Sequence, residues 1–250
     1  MTSTISLALA ALGIIFAAFV KGLIGMGFPV IAVPIAAQFL DPQTTVVAIT
    51  IPAFLMNIIQ AIQGRIPFDT LRRLLPIIAL AIPGSVIGTA LLAKAPGSLI
   101  ICILGVIVTL YATLSIWRLR LIIQPSREMP VGAFVGLCAG LIGGATSMFA
   151  PPIVIFITAL QLPKATFVSA VSLCLIAGQI PQLVGLVGFR LITGPRLGLA
   201  ALGCLISAGG FLAGMRLQHA ISQRIFAKVV LVVLLGVGLN LLRVGLMGLW

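Results

Sequence analysis

Most of the chain consists of apolar stretches that follow one another with only short polar interruptions. A helix needs about 20 apolar residues to cross the hydrocarbon core of a bilayer, and several of the stretches reach that length. The pattern predicts an all-α fold, a polytopic membrane helix bundle with about 8–10 membrane segments. The stretches lie at about 5–21, 24–40, 43–63, 71–93, 98–117, 130–143, 147–161, 164–188, 196–215 and 225–249.

The charge of the chain agrees with a lipid environment. Only 7% of the residues are charged, whereas about 25% are charged in a soluble domain. The net charge of +12 could suggest nucleic acid, but the basic residues lie between apolar stretches and are not interleaved with aromatic residues. We therefore expect the lipid bilayer as the partner, and no nucleic acid. The oligomeric state stays open, a homo-oligomer included.

The two halves of the sequence repeat each other. Gly22–Ile35 aligns with Gly140–Ile153 at an offset of 118 residues, and seven of the fourteen positions are identical. Internal duplication is a common way in which transporter folds are built. Further along, the register slips by a few residues, and the matched pairs are Asn57 with Gln179, Gln60 with Gln182, Gly84 with Gly210 and Gly88 with Gly214.

The repeat predicts the domain organisation and the orientation. We expect a first membrane repeat at 1–117, a basic cytoplasmic linker at 118–129 and a second membrane repeat at 130–250. Five segments in each half would invert the second repeat and would place eleven basic residues on one side and four on the other. The basic side should be cytoplasmic. The prediction is a multi-pass protein of the cell inner membrane with both termini extracytoplasmic.

Each repeat contains a pair of short apolar stretches interrupted by glycine and proline. Glycine lets the backbone leave helical geometry, and proline removes a hydrogen-bond donor. Inside a membrane, such breaks are tolerated where they face protein or a water-filled cavity. A helix that starts after the break directs N–H groups and a positive dipole end at that cavity, which suits an anion. Close helix packing through small residues is the alternative for any single glycine.

Lys21 directly precedes the first break. It could be a lysine at a helix end whose ammonium reaches the membrane surface, or a cation at an anion site. Buried polar residues of the later segments could either join helices or line a polar path. The candidate substrate-binding residues are Lys21, Gly22, Gly25, Gly27, Thr50, Asn57, Gln60, Gly143, Gly144, Thr146, Ser147, Ser172, Gln179 and Gln182.

Other function classes are disfavoured by what the apolar stretches lack. The three carboxylates, Asp41, Asp69 and Glu128, all fall in predicted loops or at segment ends, whereas carriers of sodium ions or protons often use buried carboxylates. The single histidine, His219, lies in a predicted loop, and no cluster of ligands suggests a metal. We therefore expect no enzyme activity, no cofactor and no metal site.

On these residues the sequence resembles the sulfite exporter TauE/SafE family of membrane transporters. The resemblance rests on the Gly22–Pro34 block, its echo at Gly140–Pro152, the pairs Thr50-Ile51 and Ser172-Leu173, and the ending from Gly214 to Arg243. It implies a secondary transporter, an exporter or permease, for a small sulfur-containing anion such as sulfite, a sulfonate or sulfoacetate. The anion would bind near the midplane between the two repeats. The alternative is a non-transporting membrane scaffold or assembly subunit.

Overall fold

The computed structural model describes residues 4–25, 27–116, 123–217 and 223–248. Within these ranges the chain is helical, with one short 3-10 turn at Pro125–Arg127. The helices are α1 (Thr4–Ile24), α2 (Phe28–Ala36), α3 (Pro42–Ala61), α4 (Phe68–Lys94), α5 (Gly97–Ile116), α6 (Glu128–Thr146), α7 (Ala150–Ala159), α8 (Lys164–Gly188), α9 (Gly194–Leu217) and α10 (Gln223–Met247).

The all-helical membrane fold is confirmed. Within the described ranges, seven helices are long and apolar enough to cross a membrane, namely α3, α4, α5, α6, α8, α9 and α10. Two shorter apolar helical stretches are Ala8–Ile24 within α1 and Ala150–Ala159, which is α7. Helix α6 begins at Glu128, inside the predicted linker 118–129, and residues 118–122 of that linker lie outside the described part of the chain.

The described chain divides into two compact units, and each unit draws on both halves of the sequence. Unit 1 contains residues 1–52, 95–119 and 193–250, and unit 2 contains residues 53–94 and 120–192. In unit 1, α9 packs on α1 and α10 packs on α5. In unit 2, α4 packs on α6 and α8. The sequence halves therefore exchange helices, α4 joining second-half partners and α9 joining α1.

The two pairs of short apolar stretches form helical hairpins. A Cβ at Gly13 of α1 would touch the side chain of Ile35 in α2, and a Cβ at Gly132 of α6 would touch the ring of Phe156 in α7. In each pair the short helix therefore folds back along the long one. With a rise of about 1.5 Å per residue, α2 is about 13 Å long, which is less than half of the hydrocarbon core.

Glycines set the closest helix crossings in both units. In unit 1, Gly22 of α1 lies against Gly214 of α9, where a Cβ on either residue would come within about 3.0 Å of the other Cα. In unit 2, Gly140 of α6 lies against Gly84 of α4 in the same way. Because Gly22 and Gly140 are repeat equivalents, Gly84 corresponds to Gly214. The sequence alignment of Gly84 with Gly210 was therefore wrong, since the slip is about one helical turn longer.

Loops that the sequence assigns to one side of the membrane meet within each unit. In unit 2, the Thr166 hydroxyl donates to the backbone oxygen of Arg65 at 3.3 Å, and Arg73 pairs with Glu128 at 2.6 Å. In unit 1, on the other side, Arg196 lies 3.5 Å from Asp41. These contacts agree with the expected alternation of sides. The inversion of the halves and the orientation of the termini stay predictions.

Candidate functional site

The tip of the first hairpin, in unit 1, is made of glycines in the left-handed region. Gly25 has φ 92° and Gly27 has φ 96°, a conformation that is costly for residues with a Cβ. The amide of Gly25 donates to the backbone oxygen of Lys21 at 2.7 Å, which closes the last turn of α1. Helix α2 then starts at Phe28, with Pro29 in its first turn. Met26 lies outside the described residues.

Lys21 lies in the last turn of α1 and is buried. Its relative exposure is 1%, and it ranks among the largest fully buried side chains. A lysine that reaches the surface would keep its ammonium exposed, so the burial disfavours that alternative. Its repeat equivalent, Ala139 in α6, is 0% exposed. The position is therefore interior in both hairpins, and only the first hairpin places a charge there.

The tip of the second hairpin, in unit 2, is held by a glutamine. The Gln182 amide nitrogen of α8 donates to the backbone oxygens of Gly143 at 2.9 Å and Gly144 at 3.2 Å, and to Ser147 Oγ at 3.1 Å. The last carbonyls of a helix lack partners within it, so this amide caps the end of α6. Ser147 itself has φ 62°, and its amide donates to Gly143. The structure thus gives Gln182 a positioning role.

Proline limits the donors at the start of both short helices. Helix α7 begins at Ala150, so Pro151 and Pro152 fall in its first turn, and Pro29 falls in the first turn of α2. Because proline has no N–H group, α7 offers fewer backbone donors to an anion than the sequence hypothesis assumed. The amide of Met148 already donates to Thr146 Oγ1 at 3.2 Å. Side chains must therefore supply part of any anion contact.

The second group of candidate residues joins α3 to α8 in unit 2. Asn57 Nδ2 donates to Gln179 Oε1 at 2.8 Å, and both residues are 1% exposed. The sequence alignment had matched these two residues as repeat equivalents. One turn further along α3, Gln60 is 3% exposed, and its side-chain oxygen Oε1 has no hydrogen-bond partner among the described residues.

The remaining candidates have mainly structural contacts. Gly22 packs against α9, Gly144 packs against Ser85, and the ring of Phe149 covers Gly143. These contacts correspond to the close-packing alternative for single glycines. The hydroxyl of Thr50 donates to Val46 O within α3, and that of Thr146 donates to Ile142 O within α6. Ser172 is buried in α8.

Three buried hydroxyls of unit 2 were missed by sequence reasoning. Ser85 Oγ donates to Gly178 O at 2.7 Å, and Thr89 Oγ1 donates to Ser85 O at 2.8 Å. Ser169 Oγ donates to Gln60 O at 3.2 Å and accepts from the amide of Gly64 at 2.9 Å. A signal was present, since Ser85 and Thr89 directly follow the two glycines of α4.

The carboxylates lie away from the hairpin tips. Asp41 accepts from the amide of Thr44 at 2.9 Å, as an N-cap of α3, and Glu128 accepts from Arg73 through both of its oxygens. Asp69 is exposed at the start of α4. No group of three or more potential metal ligands occurs within the described ranges. His219 is outside those ranges.

Together these features define a class: a polytopic helical membrane protein with two similar hairpins and a buried lysine beside one hairpin tip. The family model Sulfite exporter TauE/SafE matches residues 9–241. The chain belongs to this family, which is a family of membrane transporters. No curated protein and no solved structure matches the chain.

Proposed function

We propose that the protein is a secondary transporter, an exporter or permease, that moves a small sulfur-containing anion across the cell inner membrane. The substrate class is sulfite, a sulfonate or sulfoacetate. The family membership supports this class, since its model is that of a sulfite exporter. The proposal places ligand groups at the hairpin tips, and the protein itself supplies no covalent chemistry.

The observation that carries the proposal is the burial of Lys21. Within the described chain no other side chain with a formal charge is buried, and a charged group inside a membrane protein is costly and commonly marks a substrate or ion pathway. The Lys21 ammonium can donate hydrogen bonds to a small anion during transport. Attraction between charges also grows as the local dielectric constant falls, so one buried lysine outweighs several exposed arginines.

Other contributions come from each hairpin separately. In unit 1, Gly25 and Gly27 expose backbone at the tip, and a Cβ at Gly27 would meet no atom within 4 Å. In unit 2, the hydroxyls of Ser147 and Thr146 and the amides of Asn57 and Gln179 are the polar groups of the proposal. Ser172 and Thr50 remain candidates because they are buried in otherwise apolar helices.

The depth of the site is a separate part of the proposal. Helix α1 has 21 residues, so its length of about 31 Å equals the thickness of a hydrocarbon core. Its tip can lie near the midplane only if the helix is tilted or begins outside the core. Depth-dependent quenching of a fluorophore at position 27 tests this, and quenching by headgroup probes alone would contradict a midplane site.

Transport by purified protein in liposomes tests the function itself. Vesicles loaded with unlabelled sulfite should take up radiolabelled sulfite or a labelled sulfonate faster than empty vesicles of the same composition. Sulfate-free buffers and an unrelated labelled cation serve as controls. Absence of flux for every anion in protein that is monodisperse and inserted would contradict the proposal and favour the scaffold or assembly subunit.

A further inference from the structure

Hydrogen bonding inside unit 2 leaves one conspicuous buried acceptor. Two buried side-chain atoms lack a partner among the described residues, Gln60 Oε1 and Thr109 Oγ1. Thr109 lies against Gly238 in the crossing of α5 and α10, in unit 1. Gln60, by contrast, lies one turn from the Asn57–Gln179 amide pair, since residues three apart share a helix face. A buried carbonyl without a donor is costly, so this atom points to a ligand.

The repeat equivalent of Gln60 shows what a structural glutamine does at this position. Gln182 donates through its amide nitrogen to two backbone oxygens and one hydroxyl at the hairpin tip. At Gln60 the bond from Ser169 reaches the backbone oxygen, not the side chain. The C-terminal end of α3 is therefore fixed to α8 through its backbone. Its side-chain carbonyl is left as an acceptor one helical turn from the Asn57–Gln179 amide pair.

The chemistry of an acceptor selects among the anions of the proposed function. A fully deprotonated oxyanion presents only lone pairs, and these repel a carbonyl oxygen. An anion that also carries an O–H group, such as a monoprotonated oxyanion or a hydroxylated sulfonate, can donate to it. A site that is built to hydrogen-bond a hydroxyl discriminates against analogues that lack it.

We propose that Gln60 Oε1 accepts a hydrogen bond from the substrate and makes the transporter prefer small sulfur-containing anions that carry an O–H donor. This inference rests on the proposed function, because it names the form of the same substrate class. Gln60 acts as a specificity-determining residue, and no covalent step is involved. Neighbouring Asn57 and Gln179 add uncharged polar groups to this part of unit 2.

The test uses two sulfonates that differ only in a hydroxyl group, 2-hydroxyethanesulfonate and ethanesulfonate. Each competes for labelled sulfite uptake into liposomes that contain the full-length protein. The wild type should prefer the hydroxylated sulfonate by about three- to tenfold, the range expected for one neutral hydrogen bond. The Gln60→Met variant, which keeps the volume and removes the acceptor, should bind both equally. Gln63→Met, at an exposed position three residues further on, should retain the preference.

The outcomes separate this inference from the proposed function. Flux without a preference in the wild type overturns the inference, and so does a preference that survives in Gln60→Met. In either case a bound water, and not the substrate, would be the donor to Gln60 Oε1. Absence of all anion flux in the wild type overturns the proposed function, and the inference with it. If Gln60→Met does not fold, Gln60→Leu replaces it with the same expectation, because leucine also lacks an acceptor.

Discussion

The two hairpins have the same frame and different polar groups. In both, a long helix ends at a left-handed residue, a short helix with proline in its first turn folds back, and a glycine of the long helix receives a side chain of the short one. Both long helices also use an equivalent glycine, Gly22 or Gly140, to cross a neighbour. The two hairpins therefore have the same frame, in which backbone contacts without a Cβ allow close helix packing.

The polar groups at the two tips are not equivalent. The first hairpin has Lys21 and two glycines, whereas the second has Ala139, a serine and a bound glutamine amide. One tip thus carries a lysine and is held by its own backbone, and the other has no ionisable group of this kind and is held by a side chain from α8. The difference teaches that the two hairpins share a backbone frame and differ in the polar groups they present.

Removal of the charge from the first hairpin should have the largest effect on transport. Lys21→Met keeps an unbranched side chain and removes the ammonium, so the charge-assisted contact to the anion is lost. We expect sulfite flux to fall by about ten- to a hundredfold, the range for a hydrogen bond to a charged group. Initial uptake rates in liposomes with equal amounts of inserted protein measure this change.

Lys94→Met is the matched control for Lys21→Met. Lys94 also lies in the last turn of a long helix, α4, but it is exposed. Its substitution should leave the flux within about twofold of wild type, as expected for an exposed charge. Equal uptake rates for wild type and Lys21→Met would show that the Lys21 ammonium does not bind the anion. The binding site would then consist of backbone, hydroxyl and amide groups alone.

Glycine-to-alanine substitutions at the two helix crossings test whether both hairpins depend on the same close packing. An alanine Cβ at Gly22 would overlap the backbone oxygen of Phe211, and at Gly140 it would lie 2.5 Å from that of Ala81. Backbone must then move, and overpacking of this kind costs about 1–3 kcal/mol. Both variants should lower the melting temperature in detergent, by similar amounts. Gly209→Ala, with no atom within 4 Å of its Cβ, should not.

A large loss of stability for only one of the two glycine variants would break the comparison at the level of packing. The crossings α1–α9 and α4–α6 would then differ in how much each stabilises its unit. Residual transport should follow the amount of folded protein in both variants, because neither glycine is needed as a ligand in this interpretation.

The sequence predicted the frame well because the frame depends on residue types with strong backbone effects. Apolar length gave the helices, and the glycine–proline blocks gave the hairpin positions to within a few residues. The assignment of compact units could not be predicted, since the exchange of α4 and α9 between halves depends on which glycine faces meet. Apolar helices offer many such faces of nearly equal quality.

Individual roles in the candidate site were harder to predict than its location. The candidate residues predicted from the sequence included Gln182 and Thr146, whose side chains donate hydrogen bonds to backbone oxygens of α6. The sequence could not separate them from Gln60, because a glutamine in an apolar helix looks the same whether its amide caps a helix or not. Ser85, Thr89 and Ser169 were missed because single hydroxyls are common in membrane helices and carry little pattern.

Loosening of the second hairpin should have a smaller effect than the substitution at Lys21 or the substitutions at Gly22 and Gly140. Gln182→Leu removes the donor to Gly143, Gly144 and Ser147, and leaves those groups buried. The Gly143 oxygen keeps its bond from the Ser147 amide, so we expect a destabilisation of about 1.5 kcal/mol, the upper end for the loss of a neutral hydrogen bond. Hydrogen exchange followed by mass spectrometry should speed up at 143–149 and not at 22–31. Faster exchange at both hairpins would show that the tips are not held independently.

The smallest expected effect concerns the left-handed residue at each tip. Gly27→Ala has free space for its Cβ, so only the backbone conformation at φ 96° opposes it, and the cost should be about 1 kcal/mol, the lower end for a left-handed residue with a Cβ. Ser147→Gly relieves a left-handed serine, also worth about 1 kcal/mol, but loses the contact from Gln182, worth about 1 kcal/mol. Its net change should therefore be near zero. Melting temperatures should fall slightly for Gly27→Ala and stay unchanged for Ser147→Gly. A marked loss for Ser147→Gly would mean that the hydroxyl, and not the turn conformation, maintains the second tip, and that its bond to Gln182 is stronger than an ordinary neutral hydrogen bond.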